Sequence, residues 1–210
     1  MKVGKLNVLI AELIEAGFVV NSKGIVETKL GRSSYLVEVG DTRRTAAFET
    51  DYENSLRHYA DMFDEGRYSL MLYDGALVSV KYIMEHDAIT WHRYSYVPPV
   101  VSLDVGNGEG LGELPPAADY LRTPRRTMLR FEYDPASFAP RHPYSHLHLN
   151  GADCRMPVSG SLGLKDFLFF LIDCFYPAFI EPLAALKPSA NSSSHISVDD
   201  TKRSYIKVPL

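Results

Sequence analysis

The chain has 210 residues, of which 46% are hydrophobic and 23% charged, and its formal net charge is -4. This balance is typical of a globular protein and argues against a basic nucleic-acid coat protein or a membrane-surface protein. We expect one domain over residues 1–186, because that length suits a single core.

The first part of the chain predicts a helix followed by short strands. Gly17 can end the helix, whose apolar residues recur at helical spacing: Leu6, Leu9, Ile10, Leu13 and Ile14. A change to two-residue alternation then predicts three strands, over residues 24–30, 34–39 and 44–49. A second, short helix is expected over residues 52–62.

Asp74-Gly75 is the strongest turn signal in the sequence, because both residues tolerate a positive φ. It joins two strand-like runs, residues 69–73 and 76–82. A two-residue turn here would pair Tyr73 with Ala76 on adjacent antiparallel strands. Further strands are expected over residues 88–96, 127–133 and 155–158.

Regular patterns stop in the segment 97–127, whose prolines and glycines predict a long loop within the domain. After the last strands, an apolar helix is expected over residues 167–175, with Phe170 and Phe175 in the core. This helix is too short to span a membrane. The cysteines, Cys154 and Cys174, are too few for a disulfide framework, so a reducing cytoplasm is the expected compartment, and Cys174 is expected to be buried.

Together these elements predict an α+β protein built on a large antiparallel meander sheet of about seven to nine strands. The N-terminal and C-terminal helices would pack on one face of the sheet. Residues 187–210 are expected to form a flexible polar tail or a partner-docking segment, in which residues 204–208 could add an edge strand.

Three of the seven histidines lie within seven residues, at His142, His146 and His148. Polar and apolar residues alternate over residues 145–149, which predicts a half-buried strand with two imidazoles side by side on one face. Histidine transfers protons near neutral pH and binds metals, so this pair is a candidate chemical site. Six arginines and three acidic residues lie between residues 122 and 155, and this local positive excess would attract phosphate.

Three interpretations of the histidine strand stay open. In the first, its two histidines bind a divalent metal with one further ligand, for which the candidates are Glu132, Asp134 and His92. In the second, as in a metal-independent ribonuclease, a histidine acts as general acid or base beside a phosphate-binding arginine; the candidates are Arg130, Arg141 and Arg155. In the third, the histidines form a structural hydrogen-bond network with Tyr94 and Asp134.

Several short segments occur in a distinctive order: WHRYSY (91–96), LRFEYDP (129–135), HPYSHL (142–147) and CRMPV (154–158), followed by DF (166–167) and FYP (175–177). Their order and spacing resemble the bacterial family catalogued as domain of unknown function 2290. The resemblance implies a cytoplasmic bacterial protein and supplies no activity.

The arginine-rich strand followed by His-Pro and His-Leu also resembles, more loosely, small toxins of toxin–antitoxin pairs suspected of acting on RNA. This implies a nucleic-acid-directed component of a bacterial defence or toxin system, and a histidine-based ribonuclease within that class. The expected site lies on the sheet face away from the helices and consists of His142, His146, His148, Arg130, Glu132 and Arg155. The alternative is a non-catalytic subunit that binds a protein partner encoded nearby. No membrane association is expected, and the sequence identifies no cofactor.

Overall fold

A computed structural model describes residues 3–39, 52–99, 127–138, 142–149, 155–158 and 160–187. In this part of the chain the α-helices are α1 (Val3–Glu15), α2 (Tyr52–Asp64) and α3 (Leu164–Phe175). The strands are β1 (Val19–Ser22), β2 (Ile25–Lys29), β3 (Ser34–Val39), β4 (Leu70–Leu72), β5 (Leu77–Glu85), β6 (Ala88–Val97), β7 (Leu129–Tyr133), β8 (Ser145–Leu149) and β9 (Arg155–Pro157). Among these helices none has the length and apolar character needed to cross a membrane. Outside the described residues lie the predicted strands at 44–49 and 204–208 and most of the predicted loop and tail.

The nine strands belong to one antiparallel sheet, which confirms the predicted α+β fold class. Strands β4 to β9 are neighbours in space in the order of the sequence, as a meander requires. The N-terminal strands join differently, because β3 pairs with the second half of β5 and β1 pairs with β4. β2 pairs with β3 at one edge of the sheet. The sequence does not predict β1, since four residues are too short to show a clear alternation.

Helices α1 and α3 pack on the same face of the sheet and form its main core. The buried residues of α1 are those that the helical spacing predicts: Leu6, Leu9, Ile10 and Leu13. Gly17 takes a φ of +71°, and the Phe18 backbone N–H donates to the Leu13 carbonyl, so α1 ends in the predicted left-handed cap. On α3, the Phe167 ring contacts Tyr94 of β6 and Phe131 of β7. Helix α3 therefore covers the centre of the sheet, whereas α1 contacts β1 at one end of the strand order.

The end of α3 departs from the prediction at two positions. Phe170 is buried against Phe131, as expected, whereas Phe175 is only partly buried. Cys174 is exposed, so the prediction that it is buried is wrong. The helical period explains the exposure of Cys174, because residues 173 and 174 lie on the side of α3 that faces away from the sheet, and Phe175 follows them as the last residue of the helix.

Alternation along the strands separates the apolar face of the sheet from a polar face. Tyr94, Phe131 and Leu147 lie side by side on three neighbouring strands and belong to the core under the helices. The intervening residues point to the other face and form two polar rows across the strands. One row contains Ser79, Ser95, Arg130, His148 and Arg155. The other contains Glu38, Lys81, Arg93, Glu132 and His146.

Helix α2 covers one end of the polar face. Its Tyr59 and Met62 are buried in a second apolar cluster with Leu77, Val97 and Met128. Leu77 begins β5 and Val97 ends β6, and the two residues are register partners. The row of Ser79 and the row of Lys81 follow next along the strands, so α2 bounds the polar face at one end.

The hairpin between β4 and β5 forms where predicted but with a different turn. The Leu72 backbone N–H donates to the Ala76 carbonyl, and the Gly75 N–H donates to the Leu72 carbonyl. Leu72 therefore pairs with Ala76 around a three-residue loop, and the predicted pairing of Tyr73 with Ala76 is wrong. Only Gly75 takes a positive φ, of 86°, in this loop. This pattern is the turn plus bulge that a single left-handed glycine produces.

Candidate functional site

The candidate site is built by β7 and β8, which pair in a register that brings its residues face to face. Arg130 lies opposite His148, and Glu132 lies opposite His146. Phe131 and Leu147 alternate with these residues and are buried in the core. Because neighbouring strand residues point to opposite faces, their burial directs the charged and histidine side chains to the polar face. The two imidazoles lie side by side, with ring centroids 4.6 Å apart.

Two imidazole nitrogens and one carboxylate oxygen lie close together in this part of the sheet. His146 Nε2 lies 2.9 Å from His148 Nε2 and 3.2 Å from Glu132 Oε2. His148 Nε2 lies 3.4 Å from the same carboxylate oxygen. All three side chains are buried, and both histidines are almost completely removed from solvent. We call Glu132, His146 and His148 the histidine–glutamate cluster.

The partners of the two imidazoles define which nitrogen carries the proton in each neutral ring. His146 Nδ1 lies 2.8 Å from the Pro143 carbonyl oxygen. A carbonyl only accepts, so Nδ1 is the donor and Nε2 keeps its lone pair. His148 Nε2 lies 3.2 Å from Arg130 Nη2. A guanidinium only donates, so this Nε2 is an acceptor as well.

The Glu132 carboxylate links the histidines to two arginines. Its Oε1 forms ion pairs with Arg93 Nε at 2.6 Å and with Arg130 Nε at 3.1 Å, which are charge contacts rather than aligned hydrogen bonds. Burial alone would raise the pKa of Glu132. Contacts with the two histidines and the charges of Arg93 and Arg130 outweigh burial and hold this pKa well below its usual range. Glu132 is therefore ionised at neutral pH.

His148 is held in its neutral form. Burial lowers its pKa; a protonated Nε2 could donate to Glu132, which opposes the shift, and the charge of Arg130 adds to it. Burial also lowers the pKa of Arg130, which the adjacent carboxylate partly restores. The cluster thus combines a carboxylate with a neutral imidazole whose Nε2 faces that carboxylate's oxygen.

The remaining predicted residues lie at the border of the cluster. The His142 ring is half-buried, with its centroid 4.7 Å from that of His146. Arg155 lies opposite His148 on β9 and is also half-buried. Within the described residues, neither His142 Nδ1 nor Arg155 Nε has a hydrogen-bond partner. Arg141 lies outside the described residues.

Two predicted candidates for a third metal ligand do not join the cluster. Asp134 accepts hydrogen bonds from the Ala136 backbone N–H and the Ser137 hydroxyl, and so caps a short 3₁₀ turn. His92 lies on the helix-covered face, where its Nε2 accepts from the Leu162 N–H. Burial lowers the pKa of His92 to about 3.

The strand histidines do take part in a hydrogen-bond network, but its members are Pro143, Arg130 and Glu132, and the predicted partners Tyr94 and Asp134 are wrong. Tyr94 is buried on the helix-covered face, with its ring stacked 4.5 Å from that of His92. Strand alternation places these two rings on the side of the sheet opposite to the histidine–glutamate cluster.

Arg93 is the residue of the candidate site that sequence reasoning misses. Its position in β6 alternates with His92 and Tyr94, so the strand pattern assigns it to the polar face. Only the pairing of β6 with β7 shows that it lies opposite Glu132. The same row continues to Lys81 and Glu38, which form an ion pair at 2.7 Å.

An aromatic cleft lies at the end of β7 and β8. It has a volume of about 500 Å³ and is lined by Tyr133, Pro135, Phe138 and Tyr144. The Phe138 side chain is 66% exposed and Tyr144 is 38% exposed. Tyr144 directly precedes β8, two residues before His146 in the chain.

The fold and the site define an α+β protein that holds two histidines and a glutamate, flanked by arginines, on one face of an antiparallel sheet. The chain belongs to the family described as Uncharacterized conserved protein (DUF2290), whose family model matches residues 25–208. The comparisons with curated proteins and with solved structures gave no match.

Proposed function

We propose that this protein cleaves RNA as the nucleic-acid-directed component of a bacterial defence or toxin system. The observation that carries the proposal is the grouping of Arg93, Arg130 and Arg155 around the histidine–glutamate cluster on one sheet face. Arginine is the side chain best suited to hold a phosphate group, and histidine is suited to move its protons.

The charges of the site favour an anionic substrate. Three arginines outnumber the single carboxylate of Glu132, and this carboxylate contacts two of them. Arg93 keeps 36% of its side chain exposed, and Arg155 is half-buried with its Nε unpartnered in the described residues. These two arginines are therefore the groups that would bind a phosphodiester at the border of the cluster.

The nucleophile and the phosphodiester both belong to the RNA, so the expected reaction needs no second substrate. The 2′-hydroxyl oxygen attacks phosphorus, the bond to the 5′-oxygen of the next nucleotide breaks, and one proton passes from the 2′-hydroxyl to the leaving oxygen. The products are a 2′,3′-cyclic phosphate and a 5′-hydroxyl. We assign the exchange of this proton to His142, which is half-buried beside His146 at the border of the cluster.

The test uses the full-length protein with labelled single-stranded RNA and the same sequence as DNA, which lacks the 2′-hydroxyl. We expect cleavage of RNA alone. Arg155→Gln and His142→Asn should each reduce the rate by about 100-fold or more. The control is Arg32→Gln, an exposed arginine in the β2–β3 turn, which should cleave like the wild type. Failure of the wild type to cleave any RNA, or full activity in both site variants, would overturn the proposal.

A second candidate is a non-catalytic subunit that binds a protein partner, and the exposed aromatic cleft favours it. A Phe side chain that is 66% exposed beside a half-exposed Tyr is typical of an interface rather than of a free surface. The test is co-purification with the product of the neighbouring gene. Loss of that complex in Phe138→Asp, with retention in His142→Asn, would favour the subunit over the ribonuclease.

A further inference from the structure

We propose that Glu132, His146 and His148 bind a divalent transition-metal ion, with Zn²⁺ the best match, through Oε2 of the carboxylate and Nε2 of both imidazoles. The three residues form a group in which one ligand atom from each lies within 4.8 Å of the others. Metal binding by this cluster does not depend on whether the protein cleaves RNA.

The separations of the three atoms are those of ligands around one ion. Nitrogen and oxygen ligands lie about 2.0–2.1 Å from Zn²⁺, and angles between octahedral and tetrahedral values then separate neighbouring ligand atoms by about 2.9–3.4 Å. The observed separations are 2.9, 3.2 and 3.4 Å. An ion can therefore contact all three atoms without a change in strand register.

The hydrogen bond of His146 is compatible with metal binding. Its Nδ1 lies 2.8 Å from the Pro143 carbonyl oxygen and donates to it, so Nε2 is the ring atom that faces the cluster. His148 Nε2 lies 2.9 Å from His146 Nε2 and 3.4 Å from Glu132 Oε2, and it also faces Arg130 Nη2 at 3.2 Å. A metal ion at the cluster would take the single lone pair of this nitrogen, and Arg130 would then bind Glu132 alone. A cation between the three atoms, either a proton or a metal ion, accounts for their close approach.

The surroundings resemble the supporting contacts of a metal site. A ligating histidine commonly donates its other N–H to a carbonyl, as His146 does to Pro143, and this fixes the ring. Arg93 and Arg130 hold the second oxygen of Glu132 and orient the first towards the histidines. Two nitrogens and one oxygen suit Zn²⁺ and Fe²⁺ better than Mg²⁺ or Ca²⁺, which prefer oxygen ligands alone.

The arginines also set the character of the bound ion. A dication beside Arg93 and Arg130 is repelled by both, so an anionic ligand at the open coordination position would offset that repulsion. A site of three protein ligands leaves this position free for water or for a phosphate oxygen. The chemistry that such an ion supplies is polarisation of phosphate and of bound water.

The test begins with wild-type, full-length protein from which metal has been removed by dialysis against chelator. Co²⁺ replaces Zn²⁺ in nitrogen and oxygen sites and gives a visible spectrum. We expect one Co²⁺ per chain, visible bands that disappear when Zn²⁺ is added, and a rise in Tm with either ion. Proton NMR of the Co²⁺ form should show two strongly shifted, exchangeable imidazole N–H signals, one from each ligating histidine.

Variants identify the ligands. Loss of a supporting residue lowers metal affinity by about 10- to 100-fold. His148→Gln removes a ligand and should therefore weaken Co²⁺ binding by more than that. Glu132→Gln, which keeps the shape of the side chain, serves as the second variant if His148→Gln does not fold. The control His86→Asn changes an exposed histidine in the β5–β6 turn and should bind Co²⁺ like the wild type.

Two results would overturn the metal site. The first is a wild-type protein with no Co²⁺ bands, no shifted N–H signals and no change in Tm. This result would show that a proton, and not a metal ion, lies between the three atoms. The second is unchanged affinity in a folded His148→Gln or Glu132→Gln variant. Neither result depends on the cleavage assay, so failure of the metal site and failure of the ribonuclease function are distinguishable.

Discussion

At the residue scale, the cluster depends on Glu132, whose two oxygens have different partners. Oε1 faces Arg93 and Arg130, and Oε2 faces His146 and His148. The carboxylate thereby compensates buried positive charge and, through its other oxygen, offers a ligand atom. A single side chain connects Arg93 and Arg130 to the histidines, so the two halves of the site are electrostatically linked.

Truncation of this residue gives the first stability prediction. Glu132→Ala leaves two arginines without their buried carboxylate, and we expect a loss of about 3 kcal/mol in the free energy of unfolding. The value is at the low end for buried pairs because Arg93 is partly exposed. Urea unfolding measures the change. The control Glu65→Ala removes the exposed partner of Arg67 and should cost less than about 1 kcal/mol; equal losses in both variants would contradict the description of Glu132 as a buried partner.

At the element scale, α3 and the meander depend on each other. The apolar residues of α3 pack on the centre of the sheet, where Phe167 and Phe170 contact Phe131 of β7. Because Phe131 and Glu132 are consecutive, the same packing that buries the ring turns the carboxylate to the opposite face. Helix α3 therefore positions the site from the far side of the sheet without contacting it.

Two phenylalanines of α3 should differ in their contribution to stability. Phe170→Ala should lower the free energy of unfolding by about 3–5 kcal/mol, because it leaves a cavity against Phe131. Phe175→Ala should cost clearly less, because that ring is partly exposed and mainly stacks on Tyr96. Cys174→Ala, on the exposed side of the same turn, is the control and should have little effect. Chemical unfolding of the three variants checks this order, and a Phe175 loss as large as that of Phe170 would contradict it.

At the scale of the whole molecule, local patterns predict the sheet better than they predict its pairings. Alternation along β7 and β8 is sufficient to place Glu132 and both strand histidines on one face, because side-chain direction is a local property of a strand. The partners of β1 and β3, and the position of Arg93 opposite Glu132, depend on contacts between distant segments. No period in a single sequence encodes those contacts, so the histidines could be predicted and the pairing of Arg93 with Glu132 could not.

The last prediction concerns the stability of the protein in acid, and it rests on His92 on the apolar face of the sheet. Burial lowers its pKa to about 3, against the opposing effects of a backbone hydrogen bond with Phe131 and of the charge of Glu132, and with a further lowering from His146. Since its ordinary pKa is 6.5, the unfolded chain binds a proton that the folded protein excludes, and stability is lost as the pH falls from about 6.5 towards 3. We expect this residue alone to lower the free energy of unfolding by roughly 2–3 kcal/mol between pH 7 and pH 4.

His92→Gln, whose side-chain oxygen can still accept from the Leu162 N–H, should flatten the dependence of unfolding free energy on pH, whereas the exposed control His86→Asn should not. Parallel pH curves for the wild type and His92→Gln would show that a neutral His92 is not a source of acid sensitivity.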